Sequence, residues 1–163
     1  MSRIAGERFL IAATLDPAHE GQEFETIPPH MTVVRWFTLP DHRRKFLDHA
    51  MYHVLTDTPV FQELTGGKHA RFGEHKEYPV RLIVGAEEAP AWALRTFVKG
   101  MGSFRDGDVF ADTFNPHVTD TPTRSIERGE QISIPTVALI RAHPEEQMQQ
   151  VVASYELGDP GRE

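Results

Sequence analysis

The sequence carries the same short motif twice, once in each half of a 163-residue chain. Residues 29–32 read Pro-His-Met-Thr, and residues 116–119 read Pro-His-Val-Thr. The composition around each motif is typical of a strand, and proline is tolerated at a strand entrance because its missing N–H costs least there. Residues i and i+2 of a strand project from the same face, so each motif presents an imidazole beside a hydroxyl. The repeat favours a fold that brings two strands of matching chemistry together.

The pattern of apolar residues predicts an α+β order around these two strands. We expect strands over residues 8–16, 30–39, 79–85 and 114–119, helices over 41–57 and 90–101, and a final antiparallel pair over 132–141 and 147–157. Residues 60–72 fit either one strand or a hairpin folded at Gly66-Gly67. The two strand-helix-strand passages have similar size, which predicts a single domain (1–163) of two lobes with a loose tail at 158–163.

The first predicted helix has Asp41 as its expected N-cap and one apolar stripe at helical spacing. The members of the stripe are Phe46, Leu47, Ala50, Met51, Val54 and Leu55. His49 and His53 lie four residues apart away from this stripe, a spacing that can bind zinc, but no carboxylate follows in the usual pattern. We therefore expect a solvated helix face and no metal site.

Composition excludes several classes of protein. With 39% apolar and 25% charged residues the chain can form a core, and without cysteine it has no disulfide, zinc-thiolate site or thiol nucleophile. No apolar run approaches the length of a membrane span, and the N-terminus reads as a strand and not as a signal peptide, so we expect a cytoplasmic protein that binds no membrane. We also expect a monomer.

The net charge of −7 argues against avid binding of duplex nucleic acid, which requires many cations to neutralise phosphates. A small anionic substrate remains compatible with this charge, because a local group of donors can override the overall sign.

Two imidazoles and two hydroxyls in one cleft suit the cleavage of a phosphodiester. One imidazole must be neutral to take a proton and the other protonated to give one, and histidine permits both states near neutral pH. Hydroxyls can donate to the non-bridging phosphate oxygens as charge gathers on them. The chemistry requires no metal and no cofactor. The predicted catalytic residues are His30, Thr32, His117 and Thr119.

The paired motif resembles the signature of the 2H phosphoesterase superfamily, which includes bacterial RNA 2'-5' ligase/cyclic phosphodiesterases and plant cyclic-nucleotide phosphodiesterases. The run PPHMTVVRWFTLP is similar to the family's first motif, and the likeness covers about residues 8 to 157. It implies a bilobal α+β fold with pseudo-twofold symmetry, with antiparallel sheets lining a central cleft and helices outside. It also implies that His30 is the general acid, that His117 is the general base, and that the two threonines bind phosphate.

The second motif departs from the family pattern, because Asp120-Thr121-Pro122 follow where an apolar residue and often a basic one are usual. Asp120 should lie on the face opposite His117, so the departure leaves the substrate open more than the chemistry.

Substrate-binding residues are predicted from charge and aromaticity. Arg81 and Arg141 lie in strands and could bring positive charge to the cleft, whereas strand parity turns Arg35 away from His30. Trp36 and Phe72 could stack on a base. Weaker candidates of the same two kinds are Lys99, Arg105, Tyr78, Phe104 and Phe110.

The expected partner is a nucleotide or an RNA end. We predict a metal-independent phosphodiesterase that hydrolyses a 2',3'-cyclic phosphate or a 2'-linked phosphodiester. Two alternatives stay open: cleavage of cyclic oligonucleotide second messengers by the same chemistry, and a nucleotide- or RNA-binding module without turnover. The sequence leaves the direction of reaction open as well.

Overall fold

The computed structural model describes residues 6–56, 59–73, 75–104, 114–143 and 147–157. The strands, in chain order, are β1 (Glu7–Thr14), β2 (Glu23–Phe24), β3 (His30–Leu39), β4 (Leu64–Phe72), β5 (Tyr78–Val84), β6 (Ser103–Phe104), β7 (His117–Thr119), β8 (Gln131–Ile132), β9 (Thr136–His143) and β10 (Met148–Glu156). The helices are α1 (Arg44–Thr56), preceded by a 3₁₀ turn at Asp41–Arg43, and α2 (Glu88–Met101).

The strands form one antiparallel sheet in the order β2-β10-β9-β1-β3-β7-β5-β4-β8, with β6 paired to β3. Its two halves meet where β3 and β7 pair through Met31 and Val118. Each half contains one of the two repeated motifs, which confirms the predicted α+β, two-lobed layout. The two sheets expected around the cleft are continuous with each other through this junction.

The helices cover one face of the sheet and form the larger apolar cluster with it. Buried residues of α1 and α2 in this cluster are Leu47, Met51, Leu55, Leu94 and Val98. A smaller cluster covers part of the opposite face; its buried members include Leu10, Ala12, Ala138, Ile140 and Val151. Because β1 and β9 are buried on both faces, they read as continuous apolar runs in the sequence. Each fully buried aliphatic side chain contributes about 1.5–3 kcal/mol.

Two local predictions about the first helix are corrected, and one alternative that the sequence left open is decided. Asp41 is not an N-cap, because Pro40 is the N-cap residue of the 3₁₀ turn, without a side-chain capping bond, and Asp41 lies within the first turn. Phe46 leaves the apolar stripe and is 47% exposed, beneath the ammonium of Lys45. Residues 64–72 form one strand through the glycine pair, which is one of the two readings that the sequence allowed. A Cβ at Gly66 would clash with the backbone carbonyl of Glu127, so this glycine permits close packing.

In the ranges given above, no helix combines the length and apolarity that a bilayer crossing requires. The predicted tail at 158–163, the turn after His143, and the candidates Arg105 and Phe110 lie outside the described residues.

Candidate active site

The two repeated motifs lie on neighbouring antiparallel strands. Met31 of β3 pairs with Val118 of β7, and both side chains are buried in the helix-facing cluster. The alternation of strands puts the flanking motif residues on the opposite face of the sheet, which we call the site face. These four residues are His30, Thr32, His117 and Thr119. Antiparallel register also sets each imidazole across from the hydroxyl of the other motif, so the two imidazoles lie on a diagonal.

Both imidazoles are held by the backbone of their own motif. The Nδ1–H of His30 donates to the carbonyl of Pro28 at 2.9 Å, and that of His117 donates to the carbonyl of Asn115 at 2.7 Å. A carbonyl only accepts, so Nδ1 carries the proton in each ring and Nε2 is left for acid-base exchange. The proline between each carbonyl and its histidine fixes φ and so limits the geometry of this short loop.

Both histidines favour their neutral form. Burial lowers the pKa of His30 below its ordinary value of 6.5, and the nearby charge of His117 lowers it further, against the hydrogen bond to Pro28. Burial also lowers the pKa of His117, the carbonyl of Asn115 opposes the shift, and the positive charge of Arg35 adds to it. The charge of His117 acts on His30, so the two rings lie close enough to interact.

Phe72 stands beside the second imidazole. Its ring centroid lies 4.5 Å from that of His117, at an interplanar angle of 71°. The structure therefore places this predicted substrate contact at the site, while its binding of substrate stays a prediction.

Two consecutive β-bulges in β3 change the direction of its side chains. Val33 and Val34 both lie opposite Ile11 of β1, and both are buried in the helix-facing cluster. Arg35 and Trp36 both lie opposite the preceding residue of β1, Leu10. Paired residues of a bulge project from roughly the same side, so simple parity fails along this strand.

Arg35 belongs to the site environment for this reason. It lies with Trp36 opposite Leu10, whose side chain is in the cluster on the site face. Its side chain is exposed, and its charge reaches His117. The sequence argument that parity turns Arg35 away does not hold. No sequence signal revealed the bulges, since Val-Val-Arg-Trp also fits a regular strand.

The structure does not bring Arg81 to the histidines. Arg81 pairs with Val118 and so projects from the helix-facing side. Its Nε donates to the carbonyl of Ile126 at 2.7 Å, and its Nη1 donates to that of Gly67 at 3.1 Å. These contacts tie the loop before β8 to β4, which is a structural role.

Arg141 also lies apart from the histidines. It pairs with Phe9, whose ring faces the helices. Its Nη1 forms an ion pair with Glu7 at 2.9 Å, and its Nη2 donates to the Oε1 of Gln150 at 2.7 Å. For both arginines the facing direction depends on strand register, which a single sequence does not disclose.

Trp36 lies on the site face but further along β3. It packs against the cluster on that face, and the guanidinium of Arg8 lies 5.4 Å above its ring. The predicted stacking residue is thus separate from the imidazole pair.

Asp120 faces away from the imidazoles, as predicted. Its carboxylate accepts from the Nε2 of His69 at 3.0 Å, and its backbone N–H donates to the carbonyl of Pro79 at 2.9 Å. His69 pairs with Arg81 on the helix-facing side. The acidic residue after the second motif therefore anchors the end of β7.

Thr14 and Thr136 are a buried polar pair beside His30 that the sequence reading missed. Thr14 pairs with both His30 and Thr136, and the two threonine hydroxyls are hydrogen-bonded to each other. The Thr136 hydroxyl also accepts from the backbone N–H of Ala18 at 3.0 Å. These bonds satisfy both hydroxyls and fix the end of β1 next to the first motif.

Within the described ranges, no three His, Cys, Asp or Glu side chains converge as metal ligands do. The rings of His49 and His53 contact each other on α1 at 4.4 Å between centroids.

Comparison with solved structures identifies the fold. The chain resembles E. coli LigT complexed with 3'-AMP (TM-score 0.61, 13% identity), a phosphoesterase (0.62, 14%) and E. coli LigT complexed with NADP+ (0.59, 14%). Each match covers 94% of this chain and 99% of the other. The chain therefore has the LigT-type phosphoesterase fold, which the resemblance to 2H phosphoesterases implied. No family model matches the sequence, and no curated protein matches it.

Proposed function

We propose that this protein is a phosphodiesterase that hydrolyses 2',3'-cyclic phosphates, or 2'-linked phosphodiesters, at RNA ends or in small nucleotides. The observation that carries the proposal is the pair of imidazoles on adjoining strands. Both have Nδ1 bound to a backbone carbonyl, which leaves two Nε2 atoms and two threonine hydroxyls on one face.

For a cyclic phosphate, the proposed reaction is one in-line displacement. The Nε2 of His117 takes a proton from water as the water oxygen bonds to phosphorus. The bond from phosphorus to one ribose oxygen breaks, and the protonated Nε2 of His30 gives its proton to that oxygen. The product is a ribose monophosphate with one free hydroxyl. Thr32 and Thr119 donate to the non-bridging oxygens while negative charge gathers on them.

Arg35 supports this division of roles. Burial lowers the pKa of His117, and the positive charge of Arg35 adds to this shift, which favours the neutral form that a general base requires. The same guanidinium stabilises the anionic transition state, since it lies close to the imidazole that activates the attacking water. Bound anionic phosphate raises the pKa of His30, so the acid becomes protonated in the complex.

The solved structures of the same fold support a nucleotide substrate, because the two LigT structures are complexes with 3'-AMP and NADP+. The observations favour turnover over a binding module. The irregular residues after Thr119 leave that threonine paired with Val80, and Asp120 is bound on the opposite face.

A substrate panel tests the proposal. The purified protein is incubated in EDTA with nucleoside 2',3'-cyclic phosphates, RNA ending in a cyclic phosphate, 2'-5' linked dinucleotides, and cyclic di- and trinucleotides; mass spectrometry detects the products. We expect hydrolysis of a cyclic phosphate or of the 2'-5' linkage. Turnover of cyclic oligonucleotides alone would show that they, and not cyclic phosphates or 2'-5' linkages, are the substrate. Binding without any turnover would refute the proposed enzymatic activity.

Single variants test the residues. His30→Asn and His117→Asn should each reduce turnover by roughly two to four powers of ten while retaining the wild-type circular dichroism spectrum. His53→Asn removes an exposed imidazole on α1 and serves as the matched control. Wild-type rates in either site variant would contradict the mechanism.

A further inference from the structure

A cavity of about 360 Å³ lies at the far end of β3 and contains neither motif histidine. Its lining residues are Arg8, Trp36, Phe37, Thr38 and Phe104. We call it the distal pocket.

Three lining residues of the distal pocket, Arg8, Trp36 and Thr38, lie on the face that carries the imidazoles, whereas Phe37 and Phe104 pack with the helix-facing cluster. The strand β1 pairs with β9 without a register shift, so Arg8 and Thr14 share a face. Thr14 pairs with His30 at one end of β1, and Arg8 pairs with Thr38 at the other end. Paired residues project from the same side, so Arg8 and Thr38 lie on the site face.

The distance between the distal pocket and the motif histidines sets the size of a ligand that contacts both. Arg8 and Thr14 are six positions apart, which is about 20 Å of strand. A mononucleotide does not span this length. Stacked nucleotides advance by about 3.4 Å each, so a single strand of several nucleotides does.

The lining of the pocket suits a nucleic-acid strand. The guanidinium of Arg8 lies 5.4 Å from the centre of the Trp36 ring, an arrangement that holds the planar fork in place for a phosphate. The hydroxyl of Thr38 supplies a neutral donor, and Trp36 supplies aromatic surface for a base. Arg35 lies between the distal pocket and the imidazoles, so cations recur along one face of an acidic chain.

We propose that the distal pocket binds a phosphate and base of a single-stranded oligonucleotide several nucleotides from the reacting phosphate. The inference rests on the proposed function and narrows its substrate to an oligonucleotide end.

The test compares substrates of different length. Oligoadenylates of one, two, four and eight nucleotides, each ending in a 2',3'-cyclic phosphate, are assayed for kcat/KM. We expect kcat/KM to rise at least roughly tenfold from the shortest to the longest in the wild type. Arg8→Gln and Trp36→Leu should reduce this length ratio severalfold, whereas Lys45→Gln, which removes an exposed positive charge from α1, should preserve it. A wild-type length ratio near one, or an unchanged ratio in Arg8→Gln, would overturn the proposal.

Binding separates this inference from the proposed function. If no cyclic phosphate is hydrolysed, the proposed function fails, and the affinity for a fluorescent octaadenylate with a 3'-phosphate is measured by anisotropy. Weaker binding by roughly tenfold in Arg8→Gln would then still support the distal pocket, and equal binding would refute it.

Discussion

The two motifs present the same side chains on very different supports. The first begins β3, a ten-residue strand that pairs with β1, β6 and β7 and lies at the middle of the sheet. The second occupies the whole of β7, which has three residues. The short strand is held by its neighbours β3 and β5 and by the His69–Asp120 pair. The comparison shows that a long strand and a short, clamped one can hold an imidazole in the same way.

The largest effect distinguishes the chemical roles of the two imidazoles. A nucleoside p-nitrophenyl phosphate has a leaving group that needs little protonation, so loss of a general acid costs little with this substrate. We expect His117→Ala to lose roughly two to four powers of ten in kcat on both this ester and the cyclic phosphate. His30→Ala should lose a comparable factor on the cyclic phosphate alone. The reverse pattern would exchange the roles.

The next effect compares Arg35, on the site face, with Arg81, on the helix-facing side. Arg35→Gln should reduce kcat/KM by roughly tenfold or more, because it removes charge that stabilises the transition state. Arg81→Gln should instead lower the free energy of unfolding by roughly 1–3 kcal/mol, since two carbonyls lose their donor. Steady-state kinetics measures kcat/KM, and urea denaturation measures the free energy of unfolding. If only Arg81→Gln reduced kcat/KM, Arg81 and not Arg35 would be the arginine that acts at the site.

The pH dependence sharpens the comparison of the imidazoles. The proposed mechanism requires one neutral and one protonated ring, and the pKa values of both are lowered from 6.5. Raising the pH above both values leaves both rings neutral, so kcat/KM should be greatest below pH 6.5 and fall above it. Arg35→Gln should raise the pKa of His117, the proposed general base, and so shift the low-pH limb of the profile, where this base becomes protonated, to higher pH. A wild-type optimum near pH 8 would contradict the assignment.

The smallest effect concerns the His69–Asp120 pair, which holds the end of β7. His69→Gln and Asp120→Asn should each lower kcat by a few-fold and increase amide hydrogen exchange at Val118, because they loosen a strand with few ladder bonds of its own. Exchange at Met31 in the middle of the sheet should change less. Equal increases in hydrogen exchange at Val118 and Met31 would show that the His69–Asp120 pair stabilises the whole sheet and not one motif.

Much of the fold follows from local patterns in the sequence. The bounds of β3 match the prediction because Pro29 and Pro40 flank it, and α2 ends before Gly102 as expected. The four motif residues share a face because strand alternation holds within each tripeptide. Predictions for residues further from the motifs failed where strand register decides which face of the sheet a side chain lies on. The bulges place Arg35 on the site face, and the pairing with Val118 places Arg81 on the helix-facing side. Bulges and register arise from tertiary pairing, which leaves little trace in one sequence.

The bond from each imidazole to a carbonyl two residues earlier has a consequence for sequence divergence. The orientation of each imidazole is encoded within three consecutive residues, Pro28 to His30 and Asn115 to His117. Substitutions elsewhere in the sheet can accumulate without rotating either ring. A scaffold of this kind tolerates extensive rewriting of its sequence, which fits a shared fold at 13–14% identity with its structural neighbours.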